Sequence, residues 1–470
     1  DVSGTDDTAS GNSAYGYQAM DAITTGDNNT AMGFDAMGAN TTGAANVGVG
    51  KDALKANTTA SYNTAVGFEA MTANTTGGFN VAIGKTALAA NTTGARNLAI
   101  GYEAYQASDT ENDNIAIGFQ AMATNTAGGT DNTALGNYAL DALTSGDANV
   151  AVGNQALSAQ TTGNGNVAIG FDAMLSNTTA SGNIAIGFEA MELNTTGTRN
   201  IAIGYQALDE CDTENDNLAI GFDSMSADVA AGVKNVAVGN YTLNALTSGD
   251  DNVAIGYDAG GAITEGNANV LVGADSGNAI TTGVNNIGIG DNAVGAVVDG
   301  NRNIGIGKNA NSDNTGDSDN IAIGYNAIGG GSSVSGANNN IAIGNYTLDA
   351  LTSGDKNIAI GNNALGAKTV GEKNIAIGHD CQILNVGGEY NIGIGGSNMA
   401  ALTTGANNVA IGQGALAGMQ SNSANIAIGS RALAASTVNN NMGIGSDAGM
   451  AISTGTRNIA IGHTAYTASD

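Results

Sequence analysis

The chain has 470 residues, with 72 Gly, no Pro, no Trp and only 4% aromatic residues. A globular core of this size draws on large aromatic anchors, so the composition argues against ordinary globular domains. The formal charge of −29, from 42 acidic and 13 basic residues, argues against nucleic acid as a partner, because phosphate contacts need Lys and Arg.

The elements are read from a repeat. A pentad of Asn, apolar, small, apolar and Gly occurs 27 times between Asn12 and Asn458. Its spacing is 17 residues in 22 of 26 intervals, and 16, 18, 18 and 20 in the others. Positions are counted here from each unit's Asn. Positions 2 to 4 alternate, as in Ile184-Ala185-Ile186, which predicts a short strand. Its two branched side chains share one face and the small residue takes the other. Gly at position 5, present in every unit, predicts a bend that ends the strand. Positions 6 to 10, such as Phe188 to Glu192, predict a second short alternating segment. Positions 12 to 15 often read Asn-Thr-Thr-Gly, as at Asn194 to Gly197, and the Thr-Thr-Gly with the polar residues after it predicts the return turn.

One such unit buries too little to fold alone, so the units must stack. The predicted class is all-β: a parallel β-solenoid or β-roll of about 27 coils, in one continuous array over residues 1–470. Leucine-rich repeats need 20 or more residues per unit, and helical solenoids need more than 30. A longer period overlies the short one. The run Asn137 to Asp147 returns almost unchanged from Asn240 and from Asn345, and Asp109 to Asn114 returns from Asp212. This six-unit block of 103 residues is stretched to 105 by the insertion at Gly329-Gly330-Gly331.

Stacking gives the invariant positions a role. Asn114, Asn183, Asn200 and Asn357 are expected rungs of a side-chain amide ladder. Gly118, Gly187, Gly204 and Gly361 are expected to line up the bends. The small residues at position 3 predict a face that meets something closely. The expectation is three chains about a common axis with this face inward, a homotrimeric fibre. Seven of the 13 basic residues directly precede a unit Asn: Arg96, Arg199, Lys234, Arg302, Lys356, Lys373 and Arg457. They predict a solvated edge that limits side-on aggregation.

The search for chemistry yields little. Catalysis needs unlike groups converging, whereas here like groups are spread evenly, so no enzyme is expected. The two histidines, His379 and His463, both sit at position 6 and lie five units apart, about 24 Å by strand spacing. His379-Asp380-Cys381 has ligand-type residues, but neighbours in a strand alternate faces. Cys211 and Cys381 lie ten units apart, roughly 48 Å, too far for an intrachain disulfide. The acidic turns at Asp250-Asp251 and Asp313 to Asp319 have charge suited to Ca²⁺. They lack both the Gly-Gly-x-Gly-x-Asp repeat and the EF-hand pattern, so Asx-type turns are favoured and no cofactor is expected. No Gly-rich stretch continues into Gly-Lys-Ser/Thr. Asn-Thr-Thr sequons, as at Asn40, would accept glycans only in a suitable secretory host. Adjacent Thr side chains, as in Thr195-Thr196, cannot share a strand face, which argues against an ice-binding surface. No apolar run approaches the 18 or so residues of a membrane span, so no membrane insertion is expected. The chain starts and stops partway through a repeat, as expected of a mature product or an excised piece.

The unit running from Asn183-Ile184-Ala185-Ile186-Gly187 to Asn194-Thr195-Thr196-Gly197 resembles repeats of phage tail-fibre proteins, which often end in an endosialidase-type intramolecular chaperone. The pentad is similar to the Ala-Ile-Gly motif of trimeric autotransporter adhesin heads. The resemblance implies an elongated homotrimeric fibre outside the cell or on a virion. The expected function is a structural fibre shaft, a spacer used in host or surface attachment. Receptor or glycan binding would then lie in parts outside this segment. The alternative is a self-assembling extracellular filament, adhesin or matrix protein, joined end to end.

Overall fold

The computed structural model describes residues 9–124, 128–227, 232–312, 315–330 and 336–466. Gly331 and Asp313 lie outside them. The chain divides into two compact units, 1–233 and 234–470. The first carries strands β1 (Ser13–Tyr15) to β13 (Leu218–Ile220), and the second β14 (Val236–Val238) to β27 (Ile459–Ile461). Each unit is a parallel β-solenoid of three-residue strands, one per coil, without helix among the described residues. Pairing is in register. In β11 (Ile184–Ile186) and β12 (Ile201–Ile203), Ile184 faces Ile201, Ala185 faces Ala202 and Ile186 faces Ile203. Adjacent strands stand about 4.8 Å apart, so the 13 coils of the first unit climb roughly 60 Å.

The alternation at positions 2 to 4 is borne out, but the role of its small face is corrected. Ala185, Ala202 and Ala219 are fully buried within their own coils. The branched residues on either side point outward. Position 3 is small because the coil is thin, not because a neighbouring chain abuts it. One exception shows the constraint. Leu271 occupies position 3, and position 9, mostly Met or Leu elsewhere, is Gly277 in its own coil and Gly260 in the preceding one. A Cβ on Gly277 would lie 2.6 Å from Leu271 Cδ2. The volume is conserved by exchange across the core.

Positions 6 to 10 do not form a second strand. Positions 7 and 9 take left-handed backbone angles, as at Glu189 (φ 52°) and Met191 (φ 54°). Such angles cost L-residues roughly 1–2 kcal/mol each. They persist because they turn alternate amides along the stack. The N–H of Glu189 donates back to the Phe171 carbonyl, and that of Met191 forward to the Ala207 carbonyl. The residue before each Asn, position 17, is left-handed too, as at Arg199 (φ 60°). A periodicity of apolar residues carries no sign of φ, so the sequence could not reveal this.

Position 12 is core, just ahead of the return turn. Asn40, Asn57, Asn74 and Asn91 are fully buried and stack on one another, with Asn74 Nδ2 donating to Asn57 Oδ1 at 2.8 Å. Their amides also serve the position-15 carbonyl, as Asn40 Nδ2 does for Gly43 at 3.0 Å. Asn40 therefore presents no amide to a glycosylating enzyme once folded. Elsewhere the same position holds Ile23, Leu143, Leu246 or Leu351, and that substitution pattern was a readable signal of burial. Gln160 sits there as well, fully buried, with no hydrogen-bond partner for either end of its amide. Its chain is one methylene too long for the Asn pattern. Gln160→Asn is expected to raise stability by about 1–2 kcal/mol, read as a higher denaturant midpoint at unchanged m-value. A lower midpoint would contradict this account of the column.

Candidate functional site

The geometry of the coil assigns each repeated side chain to a column. The position-1 Asn column runs inside. The Asn183 backbone N–H donates to Asn166 Oδ1 at 3.0 Å, and that of Asn200 to Asn183 Oδ1 at 2.8 Å. The Nδ2 of each reaches position 15 of its own coil, as Asn183 does for the Gly197 carbonyl at 2.8 Å. Asn114 follows the same pattern on Asn97 Oδ1 at 3.0 Å, and Asn357 on Asn340 Oδ1 at 2.9 Å. The rungs thus run mainly from side chain to backbone. Amide-to-amide contacts appear in some coils, as between Asn357 Nδ2 and Asn340 Oδ1 at 3.2 Å. Gly118, Gly187, Gly204 and Gly361 share φ values between 127° and 146°, which L side chains rarely adopt.

The position-17 column lies at the surface and pairs its charges between coils. Arg96 binds Asp113 through two bonds of 2.5 and 2.6 Å. Arg199 binds Asp216 and Arg302 binds Asp319 in the same way. Solvent screens exposed pairs of this kind, so they set the spacing of the charges more than they add stability. Lys373 instead lies 4.9 Å over the Tyr390 ring.

The residues with catalytic or metal-ligand chemistry do not come together. His379 is exposed, with Nδ1 3.1 Å from Asp380 Oδ2. Cys381 points inward, its Sγ 2.7 Å from Asn398 Oδ1. Both cysteines are free and buried, and burial pushes the thiols up, that of Cys381 to about 12. Among the described residues no three His, Cys, Asp or Glu side chains could hold a metal ion. No helix among them is long and apolar enough to cross a membrane. At the Asp250-Asp251 turn, the Asp250 N–H donates to Asn267 Oδ1 at 2.7 Å and Asp251 is left-handed (φ 56°).

Half-buried carboxyls recur at positions 7 and 10. Burial pushes Asp209 up to about 7, and it also raises Asp141, Asp172, Glu192, Asp223, Asp258 and Asp349. The folded chain holds these protons more tightly than the unfolded chain. Their contribution is fully present below about pH 4 and is lost as pH rises towards 7. Buried Lys368, lowered to about 8 by burial, acts at higher pH and with the opposite sign. Thermal stability is therefore expected to rise as pH falls from 8 to about 5, with Asp209→Asn flattening the profile. A midpoint that falls steadily over that range would contradict the assignment.

The remaining columns, positions 2 and 4, form the outward sheet face. Ile169, Ile255 and Ile289 at position 4 are 38–40% exposed, in ranks of branched side chains up each unit. The fold and its columns define a β-solenoid repeat chain. No family model matches it, and no curated protein matches it.

Proposed function

We propose that the chain is a fibre shaft, in which copies join through the outward face of positions 2 and 4. The observation that carries this reading is that face. Branched side chains fully in register, such as Ile186 and Ile203, stand outside the coil in each unit. Soluble monomers rarely expose a continuous apolar surface of this kind. At roughly 100 Å² per coil, the first unit alone offers over 1,000 Å², beyond the roughly 800 Å² per partner of a stable interface. A thin coil closed around one apolar face leaves three copies as a compact way to cover that face. A homotrimeric shaft on a virion or cell surface, spacing an attachment tip, follows from the resemblance to tail-fibre repeats. Evenly distributed side chains, with no convergent site among the described residues, support a mechanical rather than a catalytic role.

The test is charge placed on the face. Ile186→Lys with Ile203→Lys points both ammonium groups outward and leaves the coil interior intact. Light scattering after size exclusion should show a trimer for the parent chain and smaller species for the variant. A parent chain that is monomeric at tens of micromolar would overturn the reading.

A further inference from the structure

A second surface lies on the first unit, in the columns at positions 6 and 7. In the coils of β10 (Val167–Ile169) to β13, position 6 is Phe171, Phe188, Tyr205 and Phe222. Their rings stack with centroids 5.2–5.3 Å apart and interplanar angles of 6–11°. The rings are 38–44% exposed. Because they cover one another's faces, they offer edges to solvent, which suits aliphatic chains better than a stacked flat ligand. Beside them stand Asp172, Glu189 and Asp223 at position 7, with Glu192 and Asp209 at position 10. Asp172 Oδ1 and Asp209 Oδ1 are buried and lack a hydrogen-bond partner. Burial and the neighbouring Glu189 raise Asp172 and Glu192 above the usual carboxylate range. Residues 166–227 contain nine acidic side chains and one basic one. That base, Arg199, is engaged with Asp216 in the position-17 column.

The same two columns, lower in this unit, show what such an arrangement binds. There position 6 includes Lys51 and Lys85. Lys51 lies 5.0 Å from the Phe68 ring centre and 2.7 Å from Asp52 Oδ2 at position 7. Lys85 lies 5.1 Å from the Tyr102 ring centre. It also acts on the Glu103 carboxyl, which a hydrogen bond from Gln120 chiefly holds low. A cationic side chain thus rests its stem against a ring and its head on a carboxylate. The coils of β10 to β13 keep the rings and acids and have no such lysine.

We propose that the ring-and-carboxylate columns of β10 to β13 dock a basic amphipathic polypeptide, whose Lys or Arg side chains lay their stems along the ring edges and their heads on the carboxylates of positions 7 and 10. A second copy of this chain does not suit the surface, because its matching coils bring the same excess of acid. Apolar contact gives the surface its affinity, and charge complementarity selects the partner.

The experiment uses the full chain at neutral pH and a labelled peptide of alternating Lys and Leu, followed by fluorescence anisotropy. One variant carries Glu189→Gln, Glu192→Gln and Asp209→Asn. A second removes equal charge from the other unit, with Asp291→Asn, Asp299→Asn and Asp355→Asn. A third carries Phe188→Ala and Tyr205→Ala, with circular dichroism confirming its fold. The first and third should weaken binding by about tenfold or more, and the second by no more than about twofold. Equal weakening by the first and second variants would reduce the effect to diffuse charge and overturn the proposal. So would unchanged binding by the third.

Discussion

Asn183→Leu should cost the fold about 3 kcal/mol, although the two side chains share their branching and their number of heavy atoms. Two hydrogen bonds converge on this amide: the Asn200 N–H on Oδ1, and Nδ2 on the Gly197 carbonyl, both at 2.8 Å. Leucine leaves the Asn200 N–H buried without a partner, which costs about 1–3 kcal/mol, and loses both bonds, while the Gly197 carbonyl keeps Asn194 Nδ2 at 3.1 Å. Because coils touch only their neighbours, the loss should be local. Native-state hydrogen exchange should show protection falling at Asn200 and the flanking strands, with distant coils unchanged. A change below about 1 kcal/mol would show that the column is incidental.

The outcome bears on what the sequence discloses. The strand, its alternation and the stacking were legible, because a period of 17 with fixed Asn and Gly leaves few other solutions. The inward direction of position 3 was not. Alternation says that Ala185 and Ile186 face opposite ways, but not which face is inside. Leu271 with Gly260 and Gly277 held that information, since compensating volumes imply a shared core. The left-handed residues at positions 7 and 9 were hidden for another reason. Coil-to-coil hydrogen bonds impose those angles on Glu and Met, residues that do not favour them. The ring-and-carboxylate columns were missed because they appear only when residues 17 apart are placed side by side.

Gly187→Ala is the second large effect, expected at about 3 kcal/mol or more. At φ 146° the backbone occupies a region that is essentially glycine-only, which alone costs other residues about 1–3 kcal/mol. The added Cβ would also press on the Gly204 carbonyl of the next coil. Since that carbonyl belongs to the neighbour's own bend, relief of the clash opens the stack. Gly396→Ala is the control. It lies at position 6 of its coil, its nearest neighbour to a new Cβ is the His379 carbonyl at 3.8 Å, and it should change stability by under about 0.5 kcal/mol. Chemical denaturation of the two variants checks the contrast. Equal effects would mean that chain flexibility, rather than the bend, explains the glycines.

The central claim is that the branched residues of positions 2 and 4 lie outside the single-chain coil and are covered by copies of the same chain. Cryo-EM of the purified chain tests this most directly. The account predicts three copies per particle, with Ile186, Ile203 and their equivalents meeting at the common axis and position 3 enclosed within each coil. Single coils with that face open to solvent, or copies meeting through position 3, would contradict it.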